Sequence, residues 1–146
     1  MKAAALLAAL ALLASTGAEA ADCPNVGLKT RKTALVTDTG RHRYDLEVAA
    51  SAEQQACGMM YRRSMQPATG MVFPFSPPRA TSFWMENTYL PLDLIFVGPD
   101  RRVVHIASGQ PLSRDFIDSG GVAAEVIELS AGEAKRIGLK PGDRVE

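Results

Sequence analysis

The sequence predicts a mainly β protein, an antiparallel β sandwich or barrel carrying two short α-helices. Three observations lead there. Nine prolines and twelve glycines punctuate the 146 residues and leave few windows for a long helix. Several short runs alternate apolar and polar residues with the period of two that marks a half-buried strand. Capping boxes, in which an N-cap hydroxyl and a side chain three residues on satisfy each other's backbone donors, announce two helices.

The elements follow in order. Ala34-Leu35-Val36 is a first strand, and His42 to Val48 a second, with His42, Tyr44, Leu46 and Val48 on one face and Arg43, Asp45 and Glu47 on the other. Ser51-x-x-Gln54 opens a helix that stops near Gly58. Met71, Phe73 and Phe75 alternate again, but Pro74 lacks a backbone donor and makes this strand an edge or a bulge. Leu92 to Val97 and Arg102 to Ala107 flank Gly98-Pro99-Asp100-Arg101, which reads as a hairpin. Val122 to Leu129 is the last long strand. Ser130-x-x-Glu133 reads as the second capping box, with Gly138 ending its helix and Pro141-Gly142 turning the chain into Asp143-Arg144-Val145.

Residues 1–20 stand apart. Lys2, an Ala/Leu run over 3–14 and the small-x-small triplet Ala18-Glu19-Ala20 read as a signal peptide cleaved after Ala20. The run is short of the roughly 20 residues a spanning helix needs, so no membrane span is expected in the mature chain. Residues 21–32 read as a lead-in segment and 33–146 as one globular β-rich domain, periplasmic or extracellular. Asp22, before Cys23, is the wrong residue for a lipid-attachment box. In an oxidising compartment Cys23 and Cys57 have one possible pairing, and closing that loop contributes about 3 to 4 kcal/mol by chain-entropy reasoning.

Composition excludes several classes. At 47% hydrophobic and 22% charged the chain is neither disordered nor multi-spanning. Sixteen basic residues balance sixteen acidic ones, so no net field favours nucleic acid. Phosphate-loop, nucleophile-elbow and His-Glu-x-x-His signatures are missing from the sequence, and no cofactor or metal is expected. Its two histidines, His42 and His105, lie in alternating strands and read as structural.

The chemistry-bearing segment runs from Cys57 to Phe96. It holds Gly58-Met59-Met60-Tyr61-Arg62, Gly70-Met71-Val72-Phe73, Ser82-Phe83-Trp84-Met85-Glu86-Asn87-Thr88 and Pro91-Leu92-Asp93-Leu94-Ile95-Phe96. Val126-Ile127-Glu128-Leu129, Ala131-Gly132 and Gly138-Leu139-Lys140-Pro141-Gly142-Asp143 continue the pattern. These blocks, in this order from about residue 33 to the end, resemble the prokaryotic family catalogued as domain of unknown function 192. The resemblance implies a compact, mostly β single domain, often exported, with no established activity to carry over. Cys57 departs from the family pattern, which makes a bridge to Cys23 a feature of this branch.

Candidate ligand-binding residues are Arg62, Trp84, Asn87, Thr88, Asp93 and Glu128. Asp93 sits in an otherwise apolar run, and a buried carboxylate without partners costs several kcal/mol. Arg62, Asn87 and Thr88 are possible donors, or Asn87-Thr88 forms a turn that Asp93 closes. On an extended chain Trp84 shares a face with Glu86 and Thr88, the composition of a polar-ligand cleft or of a half-buried edge. Three classes stay open. The first is a noncatalytic binding module for a small polar ligand, an envelope carbohydrate or a partner protein. The second is a hydrolase or lyase with Asp93 and Glu128 as acid and base. The third is periplasmic Cu(I) handling by Met59, Met60, Met65, Met71 and Met85.

The signal reading makes one prediction. Mass spectrometry of protein from the exported fraction should find Ala21 at the amino terminus, and a retained Met1 there would contradict cleavage.

Overall fold

The computed structural model describes Cys23 and residues 25–146. The expected signal peptide, with Ala21, Asp22 and Pro24, lies outside the described residues. Nine strands and two helices follow one another as β1 (Thr30–Thr37), β2 (Gly40–Val48), α1 (Ala52–Cys57), β3 (Thr69–Arg79), β4 (Ser82–Phe83), β5 (Leu92–Val97), β6 (Val103–Gly109), β7 (Ile117–Asp118), β8 (Ala123–Ser130), α2 (Glu133–Ile137) and β9 (Arg144–Val145). Seven strands form one sheet in the order β6-β5-β8-β3-β2-β1-β9, while β4 and β7 pair separately. The large sheet curls into a half-barrel. Beyond its pairing with β1, β9 is hydrogen-bonded to the start of β6, Val145 N–H donating to Arg101 O at 2.9 Å and Val103 N–H to Asp143 O at 2.9 Å.

All pairings in the large sheet are antiparallel except β2 with β3, which run parallel through α1 as the crossover. That exception comes from the segment 49–68, long enough to carry the chain back to the starting edge. Pro74 lies not on an edge strand but at the point where β3 leaves register with β8, and its strand has already parted from β2 after Val72. A proline is tolerated there because no ladder donor is required. Close packing of β3 on β8 needs Gly70, where a β-carbon would overlap the Glu128 carbonyl oxygen.

The curled sheet makes two cores. Leu35, Leu46, Ile95, Ile127 and Leu129 fill the concave side with Ile137 of α2, whereas Met71, Phe73, Leu92, Leu94, Phe96 and Val126 face the outer side with Met59 and Met85. All six residues of β5 are buried, the pattern of a strand covered on both faces.

The helices differ in how they start. α1 has the expected capping box, with Ser51 and Gln54 satisfying each other's backbone donors, and its C-cap is Gly58. The expected box at Ser130 does not form. Ser130 ends β8, the N-cap of α2 is Gly132 with no side-chain cap of its own, and Glu133 instead accepts from the Tyr44 hydroxyl at 2.6 Å and from Arg136. Arg136 and then Tyr44 hold the Glu133 carboxyl down at about 2. The missing cap comes from the sheet: Asp93 Oδ2 accepts the Ala134 N–H at 2.8 Å. Gly138 closes the helix in the left-handed conformation, as expected.

Removing that cap should cost stability. Asp93→Ala leaves the Ala134 N–H without its partner in a buried place and is expected to destabilise the fold by about 1 to 3 kcal/mol. Asp93→Asn, whose amide oxygen can still accept, should lose less. Denaturant melts check the order, and an unchanged Asp93→Ala midpoint would remove Asp93 from the scaffold.

Candidate functional site

Glu128 occupies the outer face of β8, between Met71 of β3 and Leu94 of β5 in register. It is 4% exposed, and its Oε2 has no hydrogen-bond partner among the described residues. Burial pushes its carboxyl up to about 8, and the positive charge of Arg62 only partly opposes that rise. A cavity of about 230 Å³ opens over it. Phe73 and Phe75 of β3, Phe83 of β4, Met59 and Trp84 line it together with the polar side chains of Gln55, Arg79, Thr81, Ser82 and Thr88. Phe83 stands edge-on to both Phe73 and Phe75, with centroids 5.1 and 6.5 Å away, so the rings brace one another.

The 82–88 segment reaches this wall by breaking its own alternation. Phe83 and Met85 turn inward and Trp84 stays 39% exposed, as on an extended chain. Asn87 then adopts a left-handed conformation, φ 54°, and swings Thr88 inward to 5% exposure. Thr88 donates its N–H to Met85 O and its hydroxyl to Glu86 O, which makes Asn87-Thr88 a turn. Trp84 lies parallel to Phe116, 6.1 Å away at the rim. Arg79 sits there too, its guanidinium 4.4 Å from the centre of the Phe75 ring.

Of the six candidate residues, Trp84, Thr88 and Glu128 line one cavity. Arg62 stands behind it. Its guanidinium grips both oxygens of Glu47 and donates to Asn25 O at 2.9 Å, so it is not the partner of Asp93. Asn87 contributes backbone, its carbonyl accepting from Tyr61 N–H. Asp93 points to the concave side with Ile95 and Val97, beneath α2. Glu128 faces the outer side, so the expected acid/base couple is split across the sheet and cannot flank one substrate. Of the five candidate methionines, Met59, Met71 and Met85 are core side chains, Met65 packs against that core and Met60 lines the cavity.

Sequence reasoning foresaw the bridge in the back wall and missed the contacts of Asn25 and Glu47 around it. Cys23 is bridged to Cys57, with Cα atoms 5.6 Å apart, and this ties the lead-in segment to the end of α1. Asn25 then donates its amide to Gln54 O at 2.9 Å and to Gly58 O at 2.5 Å. Glu47 was legible only as one of three polar residues on the outer face of an alternating strand.

Residues 34–146 match domain of unknown function 192, a family described as an uncharacterized ACR. The chain belongs to this family. A crystal structure of a protein of unknown function from Novosphingobium aromaticivorans is similar at 40% identity, covering 84% of this chain and 89% of that one with a TM-score of 0.81. Another from Sinorhizobium meliloti, described as a candidate transcription regulator, is 41% identical over 83% of this chain and 95% of that one, with a TM-score of 0.79. No curated protein matches the chain significantly. In this member of domain of unknown function 192, Cys57 both carries the bridge and lines the cavity beside Gly58.

The buried acid has a pH signature. Below about 4.5, its ordinary value, Glu128 is protonated in the folded and unfolded chain alike. Between that value and about 8 the unfolded chain ionises while the folded one keeps its proton, so the Glu128 contribution to stability falls as pH rises and levels above 8. Glu128→Gln, which cannot ionise, should gain stability over wild type across that window. A difference that stays flat with pH in paired denaturant melts would show a solvated carboxylate.

Proposed function

We propose that this protein is an exported, noncatalytic binding module that takes a small polar ligand into the cavity over Glu128. One observation carries the reading: a buried carboxyl, its Oε2 without a partner among the described residues, in the lining of a cavity that also holds Phe73, Phe75, Phe83 and Trp84. A polar atom placed there costs free energy unless something completes its hydrogen bond, and a ligand does so only when bound. The volume sets the size class. About 230 Å³ is the space of some seven or eight waters and lies below the range of drug-sized pockets, which suits a ligand of monosaccharide or amino-acid size.

Export is supported by the leader-like sequence of residues 1–20 and by the Cys23–Cys57 bridge, a bond favoured in oxidising compartments. Among the described residues no helix is long and apolar enough to cross a membrane. The balance of sixteen basic and sixteen acidic residues supplies no positive field of the kind that drives DNA binding, so the description of the Sinorhizobium protein stays with that protein.

Trp84 is the sole tryptophan and lines the cavity, so it reports on occupancy. Its emission should change saturably when monosaccharides, amino acids and small amines are titrated in turn, with at least one class responding. Glu128→Gln should weaken that response about tenfold or more, the usual consequence of removing a charged hydrogen-bonding partner. If no class produces a saturable change while the protein stays folded, the cavity is a packing feature and the binding reading fails.

A further inference from the structure

We propose that the cavity admits the ammonium end of a small organic amine, with Glu128 as its counter-ion. This rests on the binding reading and narrows it to one chemical class.

The first argument is an accounting of donors. Around the cavity the Gln55 amide donates to Ala49 O and Pro74 O, and the Thr88 hydroxyl donates to Glu86 O. Arg62 is committed to Glu47 and to Asn25 O. Each of these donors already has its acceptors; Arg79, Thr81, Ser82 and Trp84 line the cavity too, but none of them is hydrogen-bonded to Glu128 Oε2, which has no partner among the described residues. The Glu128 carboxyl, unpaired by any of them, is open to a donor brought from outside.

The second argument is the choice of acid. A neutral hydroxyl would be served by an amide or a hydroxyl side chain, which carries no ionisation cost when buried. A carboxyl is the better acceptor only where its charge is matched by one on the ligand. The aromatic walls agree with a cation. Phe75 already holds a cation at its face, the guanidinium of Arg79, and Phe73 and Phe83 line the same cavity.

The charged groups near Glu128 leave this role open. On β2, beyond Met71, Glu47 is neutralised by Arg62; on β5 the neighbour is Leu94; at the end of β3 Arg79 stands at the mouth; and Glu86 on the 82–88 loop is paired with Arg114. An ammonium arriving at Glu128 converts a neutral carboxyl into a carboxylate, and the displaced proton passes to the buffer.

Shape-matched probes test the class. Titrate the full mature chain with n-butylammonium chloride against 1-butanol, and with glucosamine against glucose, following Trp84 emission and calorimetric heat near neutral pH in two buffers of different ionisation enthalpy. The expected result is saturable binding of at least one amine, about tenfold tighter than its neutral partner. Close to one proton should be released per amine bound, and the preference should vanish in Glu128→Gln, a variant whose own melt shows it folded. Neutral members binding as tightly as the amines would overturn the ammonium class and leave the binding reading intact. A total lack of response to both amines and neutral partners would overturn both. Amine binding that survives unchanged in Glu128→Gln would place the ammonium elsewhere and overturn the inference.

Discussion

Strands β5 and β8, with the first half of β3, are buried on both faces at once, and the rest of the molecule follows from that constraint. A strand with a solvent face can send every polar residue outward. These strands cannot, so each acid in them must find its solution inside the protein. Asp93, Glu125 and Glu128, exposed by 5%, 3% and 4%, are three such acids, and each is solved differently. Asp93 caps the first turn of α2. Glu125 is held by Arg31 at 2.9 Å and by Arg101 at 2.8 Å, which supply two positive charges to one buried carboxylate. Glu128 receives only the distant field of Arg62 and keeps its proton instead. The contrast is informative because the same sheet demonstrates two ways of satisfying a buried acid and uses neither for the third.

The outer core depends on a covering layer with little intrinsic structure. α1 has six residues and β4 and β7 two each, all far below the length at which such elements stand alone in water. Their order comes from packing onto Phe73, Phe96 and Leu94, and from polar contacts that fix the loops between them. Tyr61 N–H donates to Asn87 O, Met85 N–H to Ser113 O, and Leu112 N–H to Thr88 O, so three loops are laced together over the cavity.

Legibility from sequence tracked the range of each interaction. The α1 start was readable because both members of its capping box lie within four residues. The same pattern at Ser130 misled because β8 claims Ser130 for its ladder, Tyr44 and Arg136 claim Glu133, and the true cap comes from Asp93, 41 residues away. Alternation placed β2 and the first part of β3, and short apolar runs bounded by turn residues placed β1, β5, β6 and β8, since both signals are local. The parallel pairing of β2 with β3 was not readable, because nothing in either strand encodes which neighbour it meets. Trp84 and Thr88 were placed on one face by alternation that in fact ends at Asn87; they meet at the cavity because a left-handed residue turns the chain. Arg62 was offered as one possible donor to Asp93, and its true partner went unseen for the same reason of range: Asp93 looked isolated in sequence, whereas Glu47 looked solvated.

The two sides of the cavity are built to different standards. Its back is rigid: the disulfide fixes the lead-in to α1, Asn25 bridges Gln54 and Gly58, and Arg62 clamps Glu47 to the backbone of Asn25. Its mouth is looser, formed by half-exposed Trp84 stacked on Phe116, which is itself 72% exposed, and by the Arg79 side chain lying over Phe75. Rigidity behind a buried carboxyl keeps water from relaxing around it and so preserves the cost of leaving it unpaired. Side chains with solvent on one flank can shift at the mouth without disturbing either core. A site that must hold an unsatisfied group and still admit a partner needs both properties, and here the covalent bridge lies on the side where movement would let water in.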